Sequence, residues 1–121
     1  MNLEENFYEL IEVAAKESNA GKLVLFLKVE IPKISKKYYN YAKLYFEKAL
    51  EYNCDNFEIW KMYIEHTKTY SKDKAWLVSI MLRSCKCCFF CVDLWKMLIL
   101  EMEKNFYSKE DIQSIIFSTH H

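Results

Sequence analysis

Trp60-Lys61-Met62-Tyr63-Ile64 recurs as Trp95-Lys96-Met97-Leu98-Ile99, an offset of 35 residues. The same offset carries Lys48-Ala49-Leu50 onto Arg83-Ser84-Cys85. Further upstream, Leu23, Phe26, Leu27 and Glu30 occupy the places of Trp60, Tyr63, Ile64 and Thr67. A period of this length with two helices per unit predicts an all-α superhelix of stacked helical hairpins, an α-solenoid. A lone hairpin leaves one apolar face uncovered, and the next hairpin buries it. The residue types suit that role. Trp60, Tyr63, Trp95 and Leu98 are bulky enough to fill the space between successive hairpins, whereas Ala49 and Ser84 let two helix backbones approach closely. With Lys48 and Arg83 beside them, these are expected to be structural repeat positions rather than a site.

The flanking sequence is also punctuated as helices. Leu3, Phe7, Leu10, Ile11 and Ala14 mark one face of a first helix, with Glu4, Glu5, Glu9 and Glu12 on the solvated side. Asn19-Ala20-Gly21 reads as its stop. Leu23 to Glu30 reads as a short second helix ended by Pro32, which pushes the residue before it out of the helical region. Longer helices are predicted over 36–52, 57–69, 74–86 and about 91–104, and a last one follows Ser108 and carries Ile112, Ile115 and Ile116. Asp55 with Glu58 resembles a capping box, Ser71 or Asp73 caps the next helix, and Ser108 the last. Residues 1–20 therefore form an acidic helix suited to cap the stack, and 21–121 hold two full hairpins and a truncated third. The apolar face of the final helix predicts self-association into a homodimer.

Composition narrows the function. Lys plus Arg and Asp plus Glu each number 17, so the basic excess of an electrostatic nucleic-acid binder is missing. One Gly and one Pro cannot supply the turns of a hairpin-rich β fold, nor a Gly-rich phosphate loop. Hydrophobic residues at 52% can fill a core, which argues against disorder. The five cysteines are odd in number, and Cys85, Cys87, Cys88 and Cys91 crowd together, a poor disulfide framework. With no basic start to a signal peptide, a reducing intracellular compartment is expected. The apolar run Leu23 to Leu27 is too short to span a bilayer, so no membrane role is expected.

Three chemistries deserve weighing. Cys85, Cys87, Cys88 and Cys91 supply enough thiolates for one zinc ion, but zinc sites usually join two separated pairs, and Cys85 takes the core place of Leu50. Structural cysteines are expected and no cofactor; a small Cys-rich metal-binding protein is the alternative. Catalysis lacks a positioned base, since His120 and His121 are terminal and His66, beside Glu65, is expected at the surface; the chain reads as no enzyme. Lys33, Lys36, Lys37, Lys43 and Lys48 interleave with Tyr38, Tyr39, Tyr41 and Tyr45, a pattern that holds single-stranded RNA by stacking and phosphate contact. Lys33, Lys36, Lys37, Tyr38 and Tyr39 are the candidate contacts, but tyrosines packed between hairpins and solvated lysines explain the stretch as well, so RNA contact is expected to be weak or indirect.

Trp60-x-x-Tyr63-Ile64, and Phe46-Glu47-Lys48-Ala49-Leu50 followed by Asn53 and Trp60, resemble the half-a-TPR (HAT) repeat over residues 22–117. Within that family the chain is most similar to the HAT region of U4/U6 snRNP recycling factors. Arg83, Cys88, Val92, Leu94 and Trp95 coincide with one of its repeats, while Phe89 stands where the family has Pro. The resemblance implies a TPR-like solenoid and a nuclear, non-catalytic protein-interaction scaffold in mRNA splicing. The partners it implies are snRNP components or ubiquitin-specific proteases. The HAT scaffolds of mRNA 3′-end cleavage and pre-rRNA processing are the related alternatives.

Overall fold

The computed structural model describes residues 3–17, 20–35, 39–105 and 107–119, and no strand occurs among them. The described residues form α1 (Leu3–Glu17), α2 (Gly21–Ser35), α3 (Tyr39–Tyr52), α4 (Phe57–Tyr70), α5 (Lys74–Cys87), α6 (Val92–Lys104) and α7 (Lys109–Thr119). The stride of the sequence reappears in the helix starts. Tyr39, Lys74 and Lys109 open α3, α5 and α7 at intervals of 35 residues, and Phe57 and Val92 open α4 and α6 at the same interval. The chain divides into two compact units, Met1–Tyr70 and Ser71–His121.

In the first unit α1 packs on α2, α2 on α3 and α3 on α4, and α1 also meets α3 while α2 meets α4. That contact of each helix with the next but one is what stacking one hairpin on another requires. Phe7 makes the junction: its ring stacks on Phe26 of α2 at 5.5 Å and meets Tyr45 of α3 at 4.7 Å. Such aromatic pairs add about 0.5–1.5 kcal/mol to the area they bury. In the α3–α4 hairpin, Phe46 stacks on Tyr63 at 4.9 Å and the Tyr63 hydroxyl donates to Glu47 Oε2 at 2.7 Å. The neighbouring Trp60 indole reaches back to the turn. Ala42 and Ala49 are fully buried on α3.

In the second unit α5 packs on α6. Six of its buried positions repeat those of the first hairpin. Leu77, Met81, Ser84 and Cys85 are buried where α3 buries Ala42, Phe46, Ala49 and Leu50, and Leu94 and Leu98 are buried where α4 buries Ile59 and Tyr63. Ser84 fits its tight position because its hydroxyl turns back to donate to the Met81 carbonyl at 2.6 Å, leaving no unpaired polar atom. After α6, Asn105 folds its side chain onto the Glu101 carbonyl at 2.7 Å. Ile112 of α7 is buried.

Several local expectations change. Pro32 lies inside α2 rather than after it, and the helix continues to Ser35. Loss of one N–H bond near a helix end is tolerated here because Ile31 is buried and holds that turn to the core. Gly21 opens α2 instead of closing α1. Asn56, not Asp55, caps α4, its Oδ1 accepting from the Ile59 amide at 3.1 Å. Asp73 caps α5 by accepting from the Trp76 amide at 3.0 Å, and Ser108 Oγ accepts from the Asp111 amide at 3.1 Å. On α3 Phe46 is buried, while Tyr41 is exposed.

Cys91, the N-cap of α6, makes no side-chain cap bond. Asn56 stands at the equivalent place in the first hairpin and does. Cys91→Asn is therefore expected to stabilise the second unit by about 1 kcal/mol, the usual worth of an N-cap, seen as a higher urea midpoint. An unchanged midpoint would contradict the equivalence of the two turns.

Candidate functional site

Two of the repeat residues, Trp60 and Trp95, make the same kind of bond. The Trp60 indole Nε1 donates to the Cys54 carbonyl at 2.6 Å, and the Trp95 indole Nε1 donates to the Phe89 carbonyl at 2.8 Å. In both hairpins the acceptor is the residue six before the indole, in the turn that opens the tryptophan's own helix. Trp60 is fully buried and stacks on Tyr63 at 6.4 Å, while Trp95 is half-buried. Tyr63, Leu98, Ala49 and Ser84 are buried. Arg83 is half-buried. Lys48 forms a salt bridge with Glu51 at 3.2 Å, and its ammonium lies 5.9 Å and 5.7 Å from the rings of Tyr8 and Tyr52. The Glu51 carboxylate, first as hydrogen-bond partner and then as opposite charge, holds the Lys48 pKa above its usual value.

Two hollows on the first unit are lined by described residues. One, of about 330 Å³, opens between α1 and α3 and is lined by Phe7, Tyr8, Tyr41, Leu44, Tyr45 and Lys48. Tyr8, Tyr41 and Leu44 are each more than half exposed, at 51%, 56% and 63%. This wall of aromatic faces, hydroxyls and one ammonium is the kind of surface that anchors a partner's side chains. No sequence signal isolates it, because Tyr41 and Tyr45 lie in the stretch read for RNA while Phe7 and Tyr8 come from a distant helix.

The other hollow, of about 410 Å³, lies between α2 and α4 and includes Ile31, Phe46, Met62, His66 and Tyr70. His66 is buried, against the surface position expected for it, since its ring sits 5.5 Å from Phe46 and 4.9 Å from Tyr70. Its Nε2 finds no hydrogen-bond partner among the described residues. Burial holds the His66 pKa below its ordinary value.

Lys33 is exposed and pairs with Glu30 at 3.4 Å, which offsets its charge. Lys36, Lys37 and Tyr38 lie outside the described residues, and Tyr39 opens α3. Among the described residues no group of three or more His, Cys, Asp or Glu side chains is arranged to hold a metal ion. Cys85 and Cys88 are buried, Cys87 and Cys91 half-buried. Desolvation pushes the Cys85 thiol up to about 12, so it remains a neutral apolar filler. Among the described residues no helix is long and apolar enough to cross a membrane.

Comparisons with family models, curated proteins and solved structures find no match to this chain.

The lowered pKa of His66 makes stability depend on pH. The unfolded chain takes up the imidazole proton near 6.5, whereas the folded site resists it. Stability is therefore retained above that value and lost as the pH falls below it. Wild-type protein is expected to lose more Tm than His66→Phe between about pH 7 and about pH 5, the phenyl ring keeping the contacts of the imidazole. Equal losses would show that His66 takes up its proton alike in the folded and the unfolded chain.

Proposed function

We propose that this chain is a non-catalytic protein-interaction scaffold of the HAT type, belonging to an RNA-processing factor of spliceosomal snRNP recycling and acting in the nucleus. In this reading the hairpins stack as a right-handed superhelix, and homodimerisation belongs to the same picture. The observation that carries the reading is the 35-residue spacing of the α3, α5 and α7 starts, together with the repeated indole-to-carbonyl bond in the two hairpin turns. Helical hairpins of that stride supply rigid walls for docking rather than catalytic groups. The groove between α1 and α3 supports the same role, since its exposed tyrosines and Leu44 offer large contact area on rigid elements. Pairing of Lys33 with Glu30 favours protein over RNA as the direct partner. By resemblance the partners are snRNP components or ubiquitin-specific proteases.

The test is affinity capture from nuclear extract with the wild-type chain and with a Tyr41→Asp/Leu44→Asp double variant. Both side chains are exposed, so the variant is expected to keep its helical circular dichroism. U4 and U6 snRNA, measured in the captured material, are expected to fall at least about tenfold in the variant, a loss of about 1.4 kcal/mol or more in docking. Equal recovery from both proteins would overturn the groove as the docking surface. Recovery of 3′-end cleavage or pre-rRNA processing proteins in place of U4 and U6 would move the scaffold to another assembly.

A further inference from the structure

The turn between α5 and α6 departs from its counterpart in a way the fold does not require. In the first hairpin the turn is bounded by Asn53 and Asn56, the Asn56 amide donating to the Asn53 carbonyl at 3.1 Å. Both side chains serve the helix ends: Asn53 Nδ2 donates to the Ala49 carbonyl and Asn56 Oδ1 accepts from the Ile59 amide. In the second hairpin the same positions are Cys88 and Cys91, and the Cys91 amide donates to the Cys88 carbonyl at 2.9 Å. The helix end therefore forgoes its side-chain cap. At half-buried Cys91 the sequence drops a stabilising cap that its counterpart keeps, which marks a place shaped by something other than folding.

A four-residue turn closed by that bond brings its first and last Cα within about 7 Å. A disulfide spans Cα separations of about 4.4–6.8 Å. The second-unit turn thus holds the backbones of two cysteines within the separation a disulfide spans, one at the C-cap of α5 and one at the N-cap of α6. The two differ in access. Cys91 is half-buried, whereas Cys88 is buried. Between them Phe89 and Phe90 stand 67% and 70% exposed, edge to face at 5.6 Å, leaving the mouth of the turn open to solvent. Cys54 occupies the first hairpin's turn and has only asparagines at the equivalent positions, so it is a built-in comparison.

We propose that Cys88 and Cys91 form a reversible dithiol–disulfide pair that takes electrons from small-molecule thiols such as glutathione and returns them to the corresponding disulfide. The Cys91 thiolate attacks one sulfur of oxidised glutathione, forming a protein–glutathione disulfide and releasing one glutathione thiolate. Cys88 then gives its proton to solvent, and its thiolate attacks the Cys91 sulfur. The mixed disulfide breaks and the second glutathione leaves. Two protein thiols are oxidised and one small disulfide becomes two thiols, so no further oxidant enters. Cys85 stays outside the exchange as a buried, protonated thiol.

The experiment equilibrates the full chain in buffers of varied reduced and oxidised glutathione, blocks free thiols with iodoacetamide and maps tryptic peptides by mass spectrometry. The peptide 87–96 holds Cys87, Cys88 and Cys91. On oxidation it is expected to lose the labels at Cys88 and Cys91 together while keeping that at Cys87, and excess reduced glutathione restores both. Cys54 is expected to collect only a glutathione adduct. Cys91→Ser, a change at a partly exposed turn, is expected to leave Cys88 fully labelled. Cys88→Asn, which installs the first hairpin's residue, is expected to trap glutathione on Cys91. A lasting adduct on Cys91 in the wild-type chain would overturn the pair. So would a Cys87–Cys88 or chain-to-chain disulfide in its place, or unchanged labelling throughout.

Discussion

The indole-to-carbonyl bond across each hairpin turn is the constraint on which the rest of this structure depends. A helix of about 14 residues is marginal alone, and its neighbours must hold it. Trp60 joins the two tasks of a hairpin in one side chain. Its ring fills the space against Tyr63, and its N–H anchors the turn carbonyl of Cys54. A buried indole needs a partner for its N–H, and the turn supplies a carbonyl that the helix ladder leaves unused. The same solution at Trp95 and Phe89 shows that the stride is kept by chemistry and not only by size.

With the hairpins fixed in this way, the small residues determine how closely helices approach. Ala49 and Ser84 are both fully buried at one register position, although one is apolar and the other carries a hydroxyl. Ser84 is tolerated because its hydroxyl is satisfied within its own helix. Leu50 and Cys85 show the same economy beside them, the neutral thiol replacing a branched chain. What differs between the hairpins is their polar stitching. Tyr63 ties α4 to Glu47 of α3, whereas Leu98 in its place contributes packing alone.

The helices and their stride were legible in the sequence because tryptophan is rare and its recurrence at a fixed interval has few other causes. Boundaries were less so. Pro32 signals a stop by local rules, yet burial of Ile31 next to it carries α2 onward. Asp55 and Asn56 are both good cap residues, and only the turn geometry selects Asn56. His66 reads as a surface residue beside Glu65, but a helix turns about 100° between neighbours, so one faces water while the other lies between Phe46 and Tyr70. The groove between α1 and α3 was illegible for a different reason: its walls are some 35 residues apart in the chain, and only packing brings Phe7 and Tyr8 beside Tyr41 and Tyr45.

The two hairpins are equivalent in framework and unlike in surface, and that contrast bears on function. Where framework alone governs, the substitutions between them conserve burial: Ile59 for Leu94, Phe46 for Met81, Leu50 for Cys85. Where the surface changes, the polar Cys54-Asp55 turn tip gives way to the exposed Phe89-Phe90 pair. Exposed phenyl rings add nothing to the core and raise the risk of aggregation, so a fold governed by stability alone would not retain them. A repeat architecture isolates such costs, since each unit rests on its own hairpin and its neighbours. One turn can then hold a costly, reactive tip while the equivalent turn in the first unit keeps the capped, polar form, and the indole bond that both share is what makes the exchange structurally affordable.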